Sequence, residues 1–290
     1  MKIIPLCSDS MGVRSMATLV ETSDVKLIID PAAAVAPLRH GLPPHPKELN
    51  LLEEYWRRIA SAAEECELVA VTHYHYDHHS STRFLDEVYK GRIVMVKDPE
   101  NLINFSQKNR AKIFLEKIKQ IATQVITADG REHVFGGTRI VFSHPVPHGS
   151  DNHLGYVLEV FVKDSSDSFL FTSDVQGFPL EYQAKIVLEK KPKTIFVDGP
   201  STYMLGLNYT VEELEASLRN MGRIIREAHP SKIILDHHLL RDLEWRKHFK
   251  KLLEEAEKLN VIVETAAEYL NTKINQLEAL RSSLHGMKGF

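Results

Sequence analysis

An α/β fold is what this chain of 290 residues predicts. Short apolar runs of β type recur along it, as in Lys26–Asp30, Leu68–Thr72 and Lys232–Leu235. Helical periodicity separates them, and in the C-terminal half strand and helix alternate. Hydrophobic residues make up 43% of the sequence, enough for a sizeable core.

Ser15–Glu21 and Val25–Asp30 read as strands joined by a Thr22-Ser23-Asp24 turn. Pro43-Pro44-His45-Pro46 forbids regular structure and could line a cleft. Glu48–Ala63 places Leu51, Leu52, Tyr55, Trp56 and Ile59 at helical spacing, as a core-facing helix. Leu68–Thr72 is a strand, Ser80-Ser81-Thr82 caps a helix running to Tyr89, and Arg92–Val96 is a strand. Asn101–Ile121 reads as a long helical insert, with Lys108, Arg110, Lys112, Lys117 and Lys119 against the single acid Glu116. Such a charge run is usually a solvated face; here it could also wall a site for an anion. Val134–Phe142, Leu154–Val162, Ser168–Thr172 and Thr194–Val197 are strands. Thr210–Ala228 is a helix capped by Thr210, Lys232–Leu235 a strand, and Asp242–Leu259 and Glu264–Leu284 are helices.

The decisive stretch is His73-Tyr74-His75-Tyr76-Asp77-His78-His79, in which five of seven residues can ligate a metal. Alternate residues of an extended chain share a side, so His73, His75 and Asp77 can converge on one point. A turn after Asp77 swings His78 toward a second point. Imidazoles and a carboxylate suit zinc or a similar ion, so the run suggests two metal ions side by side. Massing imidazoles at a strand end has no packing rationale.

The run resembles the His-x-His-x-Asp-His signature of the metallo-β-lactamase superfamily, complete at His73, His75, Asp77 and His78. Further motifs follow in order: Asp30 after an early strand, a histidine before Leu154-Gly155-Tyr156, Asp174 after Phe169–Ser173, and a histidine after Lys232–Asp236. For the third ligand His148, His153 and His144 compete, and His148 matches best. For the last, His237 is preferred to His238, although Asp236 stands where relatives usually carry Thr or Ser. The resemblance spans about residues 1–260 and points to an archaeal-type branch.

It implies an αββα four-layer sandwich of two mixed sheets flanked by helices. The whole of 1–290 would be one metallo-β-lactamase-like domain, with the helical insert at about 100–121 and an extra C-terminal helix at about 264–284. It implies that His73, His75 and His148 hold one metal, that Asp77, His78 and His237 hold a second, and that Asp174 bridges them. Zinc, two ions per chain, is the expected cofactor, with manganese or iron as alternatives. Asp77 could also take a proton during catalysis. Asp30 and Asp236 are candidates to orient ligand histidines. His79 reads as a supporting residue, and Tyr74 and Tyr76 as packing.

The expected activity is metal-dependent hydrolysis with a metal-held hydroxide as nucleophile, on a phosphoester in the manner of phosphodiesterases and nucleases. A lactone, thioester or amide hydrolase is the alternative, and an iron-using redox or non-catalytic metal-binding protein a third. A formal net charge of -3 and a pI near 6.6 give no global attraction to nucleic acid or membrane. A small anionic substrate or a short nucleic-acid element is the expected partner, and Arg14 could bind an anion. Cys7 and Cys66 cannot build a disulfide framework. With no apolar run of membrane length, a cytoplasmic protein is expected. The last residues could pack on the surface or form a homo-oligomer interface.

Overall fold

The computed structural model describes residues 1–287. Its N-terminal half is a six-stranded sheet in chain order: β1 (Lys2–Pro5), β2 (Thr18–Glu21), β3 (Lys26–Ile29), β4 (Leu68–Val71), β5 (Ile93–Val96) and β6 (Gln124–Thr127). β1 to β3 pair antiparallel, β1 and β2 through the long loop that carries Asp9 and β2 and β3 through a tight turn. From β3 onward pairing is parallel, because α1 (Pro46–Glu64), α2 (Leu85–Tyr89) and α3 (Phe105–Ile118) carry the crossovers.

The C-terminal half runs β7 (Glu132–Phe135), β8 (Thr138–Phe142), β9 (Val146–Pro147), β10 (Tyr156–Val157), β11 (Val160–Lys163), β12 (Ser168–Phe171), β13 (Thr194–Asp198), β14 (Lys232–Asp236) and β15 (Ile262–Glu264). Seven of these form the second sheet, in the order β15-β14-β13-β12-β11-β8-β7, while β9 and β10 pair apart from it. Helices α4 (Lys185–Lys190), α5 (Val211–Arg223), α6 (Trp245–Lys258), α7 (Ala266–Tyr269) and α8 (Arg281–Leu284) complete the chain.

Strand pleating produces the expected four layers. In β4, Leu68 and Ala70 point between the sheets, where they join Phe169, Phe171, Phe196 and Ile234. Val69 and Val71 point the other way, onto Trp56, Ile59 and Phe114 of α1 and α3. In the second sheet Leu170, Ile195, Ile233 and Leu235 face Met221, Phe249 and Leu252 of α5 and α6. Three apolar layers therefore separate helix, sheet, sheet and helix. Among the described residues no helix is long and apolar enough to cross a membrane. Cys7 and Cys66 are free and buried, and burial pushes both thiols up to about 12.

Several elements differ from their sequence reading. Val134–Phe142 is a hairpin, β7 and β8, because Gly136 turns the chain at φ 59. Leu154–Val162 splits into β10 and β11, since the Leu158 amide leaves the sheet to bond Thr72 O at 3.1 Å. The insert helix is shorter, 105–118, with Asn104 as its cap. No continuous helix spans 264–284: β15 ends at Glu264, and Asn271, at φ 56, closes the turn of α7. The chain then crosses the N-terminal loops before α8. Pro43–Pro46 starts α1 instead of lining a cleft, with His45 as N-cap and Pro46 at the first helical position.

Candidate metal centre

The carboxyl ends of β3, β4, β12, β13 and β14 meet along one edge of the sandwich, the place where open α/β sheets put ligands. After β4 the chain stays extended through His75 and then turns: the His78 and His79 amides both bond His75 O, at 3.0 and 3.1 Å. The turn divides the ligand atoms, and it carries Asp77 away from His73 and His75, with which strand alternation alone groups it. His73, His75, His148 and Asp174 form one cluster, and Asp77, His78 and His237 another, each with its ligand atoms within 4.8 Å of one another.

Asp174 stands between them. Its Oδ2 lies 3.0 Å from His148 Nε2 and 3.4 Å from His73 Nε2. Its Oδ1 lies 3.1 Å from His78 Nε2 and 3.4 Å from His237 Nε2. Asp77 is on the open side, 4.0 Å from His78 Nε2 and 3.9 Å from His237 Nε2. Nε2 of His73, Nε2 of His78 and Oδ1 of Asp174 are buried without a hydrogen-bond partner. Buried polar atoms are normally paired, so a converging set of imidazole nitrogens and carboxylate oxygens without partners fits divalent metal ions.

A surrounding shell fixes the rings. Asp30, held at φ 48 on the end of β3, accepts from Thr72 N (2.7 Å) and Thr72 Oγ1 (2.6 Å) and faces His78 Nδ1 at 2.9 Å. Ser173 Oγ lies 2.6 Å from Thr72 Oγ1 and 3.3 Å from His73 Nδ1. The carboxylate on His237 Nδ1 is Asp9, at 2.8 Å, and not Asp236 as expected. Asp236 instead binds the backbone: it accepts from Ser10 N (3.0 Å), His237 N (2.7 Å) and Ala266 N (2.9 Å), as well as from Ser8 Oγ. Arg241 Nε donates to Asp9 Oδ1 at 2.8 Å and places Nη2 3.9 Å from Asp77 Oδ2.

His148 follows β9 in a loop clamped by the buried Gln183, whose Nε2 donates to Pro147 O (2.9 Å) and Gly149 O (2.8 Å). His144 and His153 are exposed and lie outside the clusters. His238 also comes within reach, since it forms a further group with Asp174 and His237 whose ligand atoms lie within 4.8 Å of one another, while its Nδ1 is 2.9 Å from Asp198 Oδ1. His79 bonds His75 O at 2.9 Å through Nδ1 and packs on Phe114. Tyr74 is buried and donates to Lys97 O, whereas Tyr76 is exposed at the cleft.

Electrostatics split the histidines. Burial pushes His73 down to about 4, helped by the charge on His78, and holds His75 and His238 well below the usual range. Burial opposes the charge on His237 and His78, but nearby carboxylates win, raising His237 to about 10 and His78 well above its ordinary value. Burial likewise opposes ionisation of Asp9, yet Arg241 and His237 hold it at about 2. Asp77 and Asp174 are also held as carboxylates against burial, by the histidines around them.

A cleft of about 590 Å³ opens over the clusters, with His75, Asp77, His148 and Asp174 in its lining. Arg14, Arg110 and Arg241 add positive charge. Arg14 is not free for an anion, because Glu278 accepts from it twice, at 2.6 Å each. Of the five basic residues named in the insert, only Arg110 reaches this cleft. Lys108 pairs with Glu100, Lys117 donates to Ser81 O at 2.6 Å, and Lys112 and Lys119 line a separate groove. Asp9, Arg241 and Gln183 escaped the sequence reading. Asp9 sits in the Ser8–Ser15 loop, whose polarity was the only signal.

Residues 11–204 match the model of the Metallo-beta-lactamase superfamily. A UPF0282 protein of Korarchaeum cryptofilum is 50% identical over 98% of this chain and 94% of its own length. One from Metallosphaera sedula is 47% identical over 98% and 92%. Among solved structures, the isothiocyanate hydrolase from Delia radicum gut bacteria has a TM-score of 0.57 at 14% identity, covering 91% of this chain and 95% of that one. Unliganded yeast PDE1 has a TM-score of 0.55 at 11% identity, covering 91% and 96%. The structural likenesses are likenesses of fold.

Proposed function

The chain belongs to the metallo-beta-lactamase superfamily of metal-dependent hydrolases, and from that premise we propose that it hydrolyses a phosphoester at a centre of two divalent ions. One observation carries the reading: Asp174 directs Oδ2 to His73 and His148 and Oδ1 to His78 and His237. A single ion would not need a carboxylate divided in this way, nor so many further donors. Zinc suits the donor set best, with manganese or iron as alternatives. Two bound divalent ions supply Lewis-acid polarisation and offset the charge that builds on the ester oxygens.

The protein's own residues do the rest. Asp30, Thr72 and Ser173 fix the His73 and His78 rings, and Asp9 fixes His237. Asp77, held ionised at the cleft, is the carboxylate placed to accept a proton, and the Arg241 guanidinium 3.9 Å from its Oδ2 lowers its basicity there. Arg110, the cleft arginine not paired with a carboxylate among the described residues, favours an anionic substrate over a neutral lactone or amide. The net charge of -3 favours a small phosphodiester or a short nucleic-acid element over bulk DNA. Buried, unreactive thiols suit a reducing, cytoplasmic setting.

The test combines metal analysis with turnover of bis(p-nitrophenyl) phosphate in the presence of zinc, manganese or iron. About two ions per chain and hydrolysis with at least one of them are expected. One ion or none removes the dinuclear centre. An inert phosphodiester beside a hydrolysed lactone transfers the reading to carbonyl substrates.

A further inference from the structure

The insert helix meets the centre through a polar face that its lysines do not reveal. Asn104, Gln107 and Arg110 follow one another at three-residue steps, so they are neighbours on one side of α3. Gln107 is fully buried there. Its Oε1 accepts from Tyr74 N at 3.0 Å, and its Nε2 donates to Leu154 O at 2.7 Å. Asn104 Nδ2 donates to His153 O at 3.0 Å, and Arg110 Nη1 donates to Tyr74 O at 3.4 Å.

The two segments joined in this way carry the three histidines of the first cluster. Tyr74 stands between His73 and His75. Leu154 precedes Gly155, whose carbonyl accepts from His148 N at 2.9 Å. A primary amide suits the bridge, because it accepts at one end and donates at the other, whereas a carboxylate only accepts and an ammonium only donates. Gly155, at φ 91, leaves room for it: a Cβ there would lie 2.7 Å from Gln107 Nε2. The second cluster is braced differently, His78 by Asp30 and His237 by Asp9.

Resting on the two-ion reading, we infer that Gln107 is a positioning residue for the first ion, which sets the separation between the His73–His75 segment and His148. It touches neither the ligand nitrogens nor the cleft, and acts through the backbone on either side of them. The insert helix is thereby part of the metal centre's scaffold. Because coupling between two sites is reciprocal, an ion held by these three histidines in turn holds α3 in place.

Chelator competition on the zinc-loaded full chain, resolved into the affinities of the two ions, tests this. Gln107→Met keeps the length of the side chain and removes both bonds. It should weaken one ion by about tenfold or more, the loss typical when a support behind metal ligands is removed, and leave the other within about threefold. In a His148→Ala background, where that ion has already lost a ligand, Gln107→Met should not weaken the retained ion. Asn104→Asp keeps the helix cap but cannot donate to His153 O. It should shift the same ion by about threefold, the scale of one hydrogen bond, and it decides the matter if Gln107→Met does not fold. Zinc loading should also slow amide hydrogen exchange in α3 of the unsubstituted protein, and slow it less in the Gln107→Met or Asn104→Asp chain. Equal weakening of both ions, affinities that the variants leave unchanged, a further loss in the His148→Ala background, or α3 exchange indifferent to zinc would overturn the inference. One ion or none in the unsubstituted protein would remove the two-ion reading and the inference with it, before any variant is compared.

Discussion

Asp9 Oδ2 lies 2.8 Å from His237 Nδ1, across 228 residues of sequence. The same carboxylate accepts from Arg241 through Oδ1, so one short side chain from an N-terminal loop orients a candidate ligand and neutralises the arginine beside it.

Replacing Asp9 with Asn should therefore weaken metal binding and folding together. Loss of a carboxylate behind a ligand histidine typically costs about 10- to 100-fold in metal affinity. Leaving Arg241 buried and without its anion costs about 3–5 kcal/mol of stability. Competition with a chelator and urea unfolding read the two effects separately. Unchanged metal affinity would show that His237 is not a ligand or is oriented by something else.

Asp174→Asn keeps the shape of the side chain and removes the charge shared between the two clusters. Metal content should fall from about two ions per chain toward one, with activity lost by a factor of about a hundred or more. Asp198→Asn touches only His238 and the Gln176 amide, and should leave metal content near two. The opposite pattern would move the shared position from Asp174 to Asp198.

His148→Ala should lower metal content, whereas His144→Ala and His153→Ala, both at exposed positions, should not. Elemental analysis of the three purified variants decides. A greater loss from His153→Ala would require the loop after β9 to rearrange on metal binding.

Glu159 provides a pH signature away from the centre. It is 1% exposed, its Oε1 has no partner, and burial holds its pKa well above the ordinary range. Near pH 4 and below, the carboxyl is neutral in both folded and unfolded chains. As pH rises past about 4.3 the unfolded chain ionises while the folded one keeps its proton, so stability falls until the folded pKa is passed. The slope is up to about 1.4 kcal/mol per pH unit. Glu159→Gln should flatten it in urea titrations between pH 5 and 7. Parallel pH dependences in the two proteins would refute the assignment.

What could be read from the sequence follows a physical divide. His73, His75, Asp77 and His78 were legible because strand alternation and one turn, both local, aim them. The β4 and β14 strands were legible because an apolar run buried on both faces has few other uses. Asp9, Gln183 and Arg241 were not, because each acts on a residue far away in the chain, and a lone polar residue in a loop carries no pattern. The helix expected over 264–284 failed for a related reason. Leu270, Ile274 and Leu277 have helical spacing, but Asn271 turns the chain and the following residues bond elsewhere: Asn275 N to Ser10 O at 2.7 Å, Gln276 Nε2 to Leu240 O at 2.6 Å. Buried Arg281 then meets Glu48 of α1 at 2.7 and 2.9 Å.

The distance along the chain between Asp9 and His237 sets a timetable. At about 5–20 residues per second, a ribosome delivers His237 roughly 10 to 50 seconds after Asp9. During that interval the first sheet can assemble and gather His73, His75, Asp77 and His78, but His148, Asp174 and His237 are still to come. A nascent chain thus holds a half-set of imidazoles open to any ion that passes. The candidate ligand set is therefore complete only once the second sheet has been made and has docked on the first.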